Sequence, residues 1–142
     1  PVTDEKIPSK IKKDNSLKTG TETILLVDDE ETVRSLVSDL LKSLGYSVIV
    51  AENGKVASNI FKNRKNEIDL VMLDMIMPVM AGKETFYELK KIKEEIPILL
   101  ISGYSKSEKA AELIDDGAAG FLPKPFQMQE LSAILASLLK TK

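Results

Sequence analysis

Cysteine, histidine and tryptophan are all missing from this 142-residue chain, and the first two absences each exclude a chemistry. Without cysteine there is no disulfide and no thiolate chemistry, which fits a reducing compartment. Without histidine no imidazole can serve as base, metal ligand or phosphate carrier. An excess of positive charge is missing too: the net charge is −2, so the electrostatic footprint of nucleic-acid binding is not there. No apolar run approaches the ~20 residues of a membrane helix, and no signal peptide opens the chain. A cytoplasmic placement is expected, without membrane contact by this segment, whether or not a longer parent protein is membrane-anchored. Pro1 stands where a complete chain would have Met, which reads as an excerpt from something longer.

What is there belongs to an ordinary globular domain: 43% hydrophobic and 30% charged residues, in a length that suits one domain with a real core. Residues 1–22 are rich in Lys, Ser and Thr, and no helical or strand period survives Pro8 and Gly20, so they read as a flexible linker or tail. The folded domain is expected over residues 23–142. Ile24 to Val27 is a short apolar strand ending in Asp28-Asp29-Glu30-Glu31. Val33, Leu36, Val37, Leu40, Leu41 and Leu44 then mark one face of a helix that Gly45 stops. Val48 to Val50 is a second strand, and a helix follows Asn53-Gly54. The third strand, Ile68 to Asp74, is an apolar run closed by a single carboxylate. Phe86, Leu89 and Ile92 give the next helix, and Ile98 to Ile101 a strand ending in Ser102-Gly103. A short, Ala-rich helix from Glu108 to Asp116 precedes a fifth strand at Gly120 to Leu122. Leu131, Ile134, Leu135, Leu138 and Leu139 stripe a last helix.

Strict strand–helix alternation predicts an α/β fold, a parallel sheet with helices on both faces. Pro123 lacks an N–H and suits an edge strand, which the doubly wound order 2-1-3-4-5 provides for strand five. In such sheets, chemistry collects outside the carboxyl ends of the strands. That rim would gather Asp28 and Asp29, Asp74, Ser102 and Lys124. Crowded carboxylates repel one another, and a hard divalent cation such as Mg²⁺ relieves the repulsion. Lys124 offers a mobile point charge for a phosphoryl oxygen and Ser102 a hydroxyl donor. Together they have the parts phosphoryl transfer needs. Singly, each has a plainer reading: the Asp pair as a helix cap, Asp74 and Ser102-Gly103 as turn formers, Lys124 as a solvated loop lysine.

The residues Leu26-Val27-Asp28-Asp29-Glu30, Leu73-Asp74-Met75-Ile76-Met77-Pro78, Ser102-Gly103-Tyr104 and Lys124-Pro125-Phe126 resemble the receiver domain of two-component response regulators, from about Ile24 to Leu139. The resemblance implies a flavodoxin-like (βα)5 sandwich with the strand order 2-1-3-4-5. It implies that Asp74 accepts a phosphoryl group from a phosphohistidine on a histidine kinase or phosphotransfer domain. Asp29 would bind Mg²⁺ directly and Asp28 through water, and Asp74 and the backbone carbonyl of Ile76 would complete the protein's ligands. Lys124, before a cis peptide bond to Pro125, would pair with the phosphoryl group. Ser102 would move toward it, and Phe121 would turn inward as the switch aromatic. The fourth helix, fifth strand and fifth helix would form the reporting face, also a candidate for weak homodimerisation. Ile76 and Tyr104 are larger or less polar than small polar residues that would flank the path of hydrolytic water, so a long-lived acyl phosphate is expected. The domain is then an acceptor that phosphorylates itself rather than a turnover enzyme. The polar N-terminal stretch and the Ser102-Gly103-Tyr104-Ser105 run resemble receivers at the C-terminus of hybrid sensor histidine kinases, and a stand-alone regulator is the other choice.

Rival readings share parts of this set. An Asp-nucleophile phosphatase of the haloacid dehalogenase type uses Asp, Ser or Thr, Lys and Mg²⁺, but wants a second Asp where this chain has Ile76. A flavin-binding flavodoxin relative would need a phosphate loop where Asp28 to Glu31 would repel phosphate. A pseudo-receiver that only docks keeps the fold without the chemistry.

Overall fold

A computed structural model of the protein describes residues 17–75, 82–103 and 108–139. Its elements follow one another as β1 (Thr23–Val27), α1 (Glu31–Ser43), β2 (Ser47–Ala51), α2 (Gly54–Arg64), β3 (Leu70–Asp74), α3 (Gly82–Ile92), β4 (Ile98–Ser102), α4 (Glu108–Asp115), β5 (Gly120–Pro123) and α5 (Met128–Leu139). The strands form one parallel sheet, as expected from the alternation, in the order β2-β1-β3-β4-β5 that the resemblance implied. β5 is an edge, and Pro123 sits on it opposite Ser102.

The continuous apolar runs of β1, β3 and β4 are explained by the layers on either side of them. Leu25, Val27, Val71, Leu73, Ile98 and Leu100 face a core shared with Phe61 of α2, Phe86 and Leu89 of α3, and Leu113 of α4. Their neighbours Ile24, Leu26, Leu70, Met72, Leu99 and Ile101 face Val37 and Leu41 of α1 and Leu131 and Leu135 of α5. Side chains alternate across a strand, so a strand covered on both faces must be apolar at every position.

Local chemistry sets the helix ends. The Asn53 side chain accepts from the Val56 amide (2.9 Å) and caps α2. At the start of α5 the Glu130 carboxylate accepts from the Gln127 amide (2.8 Å), while Phe126 and Leu131 lie in the same core. Gly45 (φ +101°) and Gly117 (φ +113°) end α1 and α4 in left-handed turns that a side chain would strain. In both turns the next two amides reach back to the last carbonyls of the helix, Gly45 and Tyr46 to Lys42 and Leu41, Gly117 and Ala118 to Ile114 and Leu113.

Residues 1–16 of the expected linker lie outside the described residues. Residues 17–22 are described, and they carry hydrogen bonds to α5 and to the end of α1. Among the described residues no helix is long and apolar enough to cross a membrane.

Candidate functional site

Parallel strands bring their carboxyl ends to one rim, and the register makes the meeting specific. Val27 pairs with Leu73, so Asp28 and Asp29 emerge beside the end of β3; Asp74 pairs with Ile101, which sets Ser102 one step further out. Ser102 in turn pairs with Pro123, and the Lys124 amide donates to the Ser102 carbonyl (2.6 Å). The Lys124–Pro125 bond is cis, as the resemblance implied.

One carboxylate oxygen from each of Asp28, Asp29 and Asp74 lies within 4.8 Å of the others. Asp28 and Asp74 are buried and Asp29 is exposed. The Lys124 ammonium reaches into this group, 3.1 Å from Asp28 Oδ2 and 3.6 Å from Asp74 Oδ2. Burial works against the charge on Lys124, but Asp74 and Asp28, with a smaller part from Glu30, outweigh it and hold the ammonium above the ordinary lysine range. One ammonium cannot neutralise three carboxylates. Such hard oxygen donors on a half-open rim fit a magnesium ion, which commonly takes one or two carboxylates and keeps water for the rest of its shell.

The plainer readings of the same residues are tested by their contacts. Asp28 Oδ1 accepts from the Glu30 amide two residues on (2.9 Å), which is a turn contact, while α1 has no side-chain cap at Glu30. Its other oxygen goes to Lys124, a residue far along the chain, so turn formation does not account for its placement. Lys124 is not a solvated loop lysine, since its side chain is only 19% exposed. Ser102 is buried at the end of β4, and Phe121 is half-buried against the core shared by α2, α3 and α4. Ile76 and Tyr104 lie outside the described residues.

Two neighbours of the site had no clear signal in the sequence. Arg34 Nη1 donates to the Asp28 carbonyl (2.8 Å) from the first turn of α1 and holds the end of β1 in place. Gly82 opens α3 directly against the end of β3: a Cβ there would meet the Met75 Cα at 2.7 Å and the Asp74 carbonyl oxygen at 2.8 Å. Its position after Pro78 reads in the sequence only as a turn signal.

A parallel 2-1-3-4-5 sheet with clustered acids and a lysine at its carboxyl rim defines a doubly wound phosphoryl- or cation-binding domain. The chain belongs to the response regulator receiver domain family, whose model matches residues 24–136. It is 37% identical to the sensor kinase CckA of Brucella abortus over 131 residues, 92% of this chain, and spans only 14% of that kinase's length. A response regulator receiver domain protein from Clostridium thermocellum superimposes with a TM-score of 0.81 at 30% identity, covering 84% of this chain and 95% of the other. In the CheX-CheY-BeF3-Mg²⁺ complex of Borrelia burgdorferi, the matching chain has a TM-score of 0.78 at 25% identity, covering 82% of this chain and 88% of that one. Receiver domains bind Mg²⁺ at an acidic pocket and interact with histidine kinases or phosphotransfer proteins. The protein is a receiver domain of two-component signalling, and neither the phosphatase nor the flavin reading is favoured.

Proposed function

We propose that Asp74 is the phosphoacceptor of this receiver domain and that Asp28, Asp29 and Asp74, with the Ile76 carbonyl, hold a magnesium ion beside it. The observation that carries the reading is the convergence of three carboxylates within 4.8 Å, with the Lys124 ammonium at 3.1 and 3.6 Å from two of them. A structural salt bridge alone needs one acid per lysine. When bound, the cation offsets negative charge on the acid cluster and the incoming phosphoryl oxygens.

An Asp74 carboxylate oxygen attacks phosphorus on a donor phosphohistidine. The new P–O bond forms as the P–N bond breaks, and the electron pair stays on the imidazole nitrogen. The donor lies on another chain or domain, because this sequence has no histidine. Lys124 leaves its contact with the free carboxylate for the phosphoryl group, which carries more charge. Ser102 donates its hydroxyl to a phosphoryl oxygen, and Phe121 moves deeper as space opens beside it. These contacts bias two pre-existing states and are read by partners at α4, β5 and α5, a face that also supports a weak homodimer. Residues 1–22 lead into the domain from the rest of a parent protein, for which a hybrid sensor kinase and a response regulator both have counterparts among the relatives. The segment works in the cytoplasm.

Incubation of the protein with Mg²⁺ and acetyl phosphate, followed by intact-mass analysis, is expected to add one phosphoryl group. Asp74→Asn is expected to add none, and chelation of the metal to suppress labelling of the unaltered chain. Equal labelling of both proteins would overturn the assignment of Asp74.

A further inference from the structure

The composition of residues 17–22 predicts a loose tail, yet they lie docked on the domain. Ser132, in the second turn of α5, is 2% exposed. Its hydroxyl is committed twice to one residue of that stretch: it accepts from the Lys18 amide (2.6 Å) and donates to the Lys18 carbonyl (3.0 Å). Two residues on, the Gly20 amide donates to the carbonyl of Leu44 at the end of α1 (3.0 Å). Gly20 also lies close beside the Tyr46 ring, where any Cβ would collide with ring carbons, and Tyr46 is itself buried. Burial, and then the nearby Glu22 carboxylate, push the Tyr46 phenol up, so the ring stays neutral under the segment. The Glu22 carbonyl then accepts from Ser47 (2.9 Å) and leads into β1. A polar stretch tied at both ends, over a buried tyrosine and by a buried helix serine, is a structural member rather than a spacer.

We propose that residues 17–22 form a strap that fixes α5 in the unphosphorylated arrangement and couples the chain N-terminal to it to the state of Asp74. The coupling part rests on the phosphoacceptor reading above. The route is short. Lys124 touches Asp28 and Asp74, only Pro125, Phe126 and Gln127 separate it from α5, and Ser132 stands in the second turn of that helix. When Lys124 follows a phosphoryl group, the start of α5 moves with it, and the Ser132 hydroxyl leaves the position that satisfies both Lys18 groups. Linkage makes this reciprocal: a strap bound more tightly in the unphosphorylated state resists phosphorylation, and phosphorylation loosens the strap.

Amide hydrogen exchange and the initial rate of Mg²⁺-dependent labelling by acetyl phosphate test this on the full chain, its Ser132→Ala variant and its Gly20→Val variant. The Lys18 and Gly20 amides are expected to be protected in the unaltered protein. Ser132→Ala should speed Lys18 exchange about tenfold, the scale of one lost hydrogen bond. Both variants should label about fivefold faster, the low end of coupling between sites, and labelling of the unaltered protein should speed Lys18 exchange. The Val71 amide, which donates to the Pro97 carbonyl between β3 and β4 and touches no strap residue, reports whether each variant is folded. Unprotected Lys18 in the unaltered protein would overturn the strap. Normal labelling of the unaltered protein at rates matched by both variants would overturn the coupling and leave Asp74 as the acceptor. No labelling of any protein would overturn the acceptor reading and the coupling together, while Lys18 protection lost in Ser132→Ala would still uphold the docked strap.

Discussion

Lys124 does two things at once, and pH separates them. Its ammonium is desolvated by the fold, yet Asp74 and Asp28 hold it above an ordinary lysine. A lysine whose folded value lies above its unfolded value stabilises the fold fully below the unfolded value, near ~10.4, and loses that contribution as pH rises through the folded one. The stabilisation from this lysine is therefore present at neutral pH and lost only on the alkaline side. Asp28→Asn removes the partner at 3.1 Å, so its Lys124 should titrate at lower pH, as followed by NMR of the lysine side chain. An unmoved titration would mean that Asp28 contributes nothing to holding this ammonium. The same substitution leaves fewer anionic oxygens at the rim and should weaken Mg²⁺ binding.

Among the elements, α3 carries contacts that reach both the site and α4. Its first residue is Gly82, and an added methyl group would press on the backbone of Met75 and on the Asp74 carbonyl. Backbone cannot rotate away as a side-chain tip can, so Gly82→Ala should displace the end of β3. A cost of about 1–3 kcal/mol in denaturant unfolding is expected, as for other overpacked sites, with a larger relative loss of Asp74 labelling. Wild-type labelling in this variant would show that the β3 end tolerates the shift. From its first and middle turns α3 also holds α4 and the residue after it by polar groups: Lys83 pairs with Glu112 (3.2 Å), and the Tyr87 hydroxyl donates to Asp116. That hydrogen bond, with desolvation, pushes the Tyr87 phenol up to about 12. The phenol stays protonated in the fold after an unfolded tyrosine has ionised, so this tie stabilises below about 10 and fades between about 10 and 12. Absorbance titration should show tyrosinate forming late, and Tyr87→Phe should remove that late component. The buried apolar residues of α4, Ala110 and Leu113, are few, which leaves these polar ties a real share in positioning a helix on the proposed reporting face.

At the scale of the whole molecule, the proposed cation site in the acid cluster would link metal binding to stability. Anything that binds the folded chain and not the unfolded one stabilises it, by about 2.7 kcal/mol at a hundred times its dissociation constant. Saturating Mg²⁺ should raise the thermal midpoint, and a chelator should reverse the rise. Asp29 is exposed and has no part in the core, so Asp29→Asn should keep the metal-free midpoint and lose most of the metal-dependent increase. An equal increase in both proteins would place the cation elsewhere. The two cores give this linkage its reach, because β1, β3 and β4 carry the site at their ends and are packed on both faces.

Much of the protein is determined by the sequence by itself. Apolar runs closed by Asp28, Asp74 and Ser102, alternating with helix-period stripes, set the element order, because burial on both faces admits few other residues. The parallel sheet follows from the same pattern and Pro123 suits an edge strand, while the order 2-1-3-4-5 came with the resemblance to a known family. Of the rim, Asp28, Asp29, Asp74, Ser102 and Lys124 were legible as an ordered set of short motifs. What only the tertiary structure decided are contacts between groups distant in the chain, which have no local period or composition to announce them. The two-pronged reach of Lys124, the hold of Arg34 on Asp28, the close approach of Gly82 to Met75 and the tie from Ser132 to Lys18 all belong to this kind. The last of these shows the reason most plainly. Residues 17–22 have no apolar face to place them; their own backbone groups hold them, through the Ser132 hydroxyl and the Leu44 carbonyl, and the same backbone groups occur in every sequence, so nothing in their composition announces the partners.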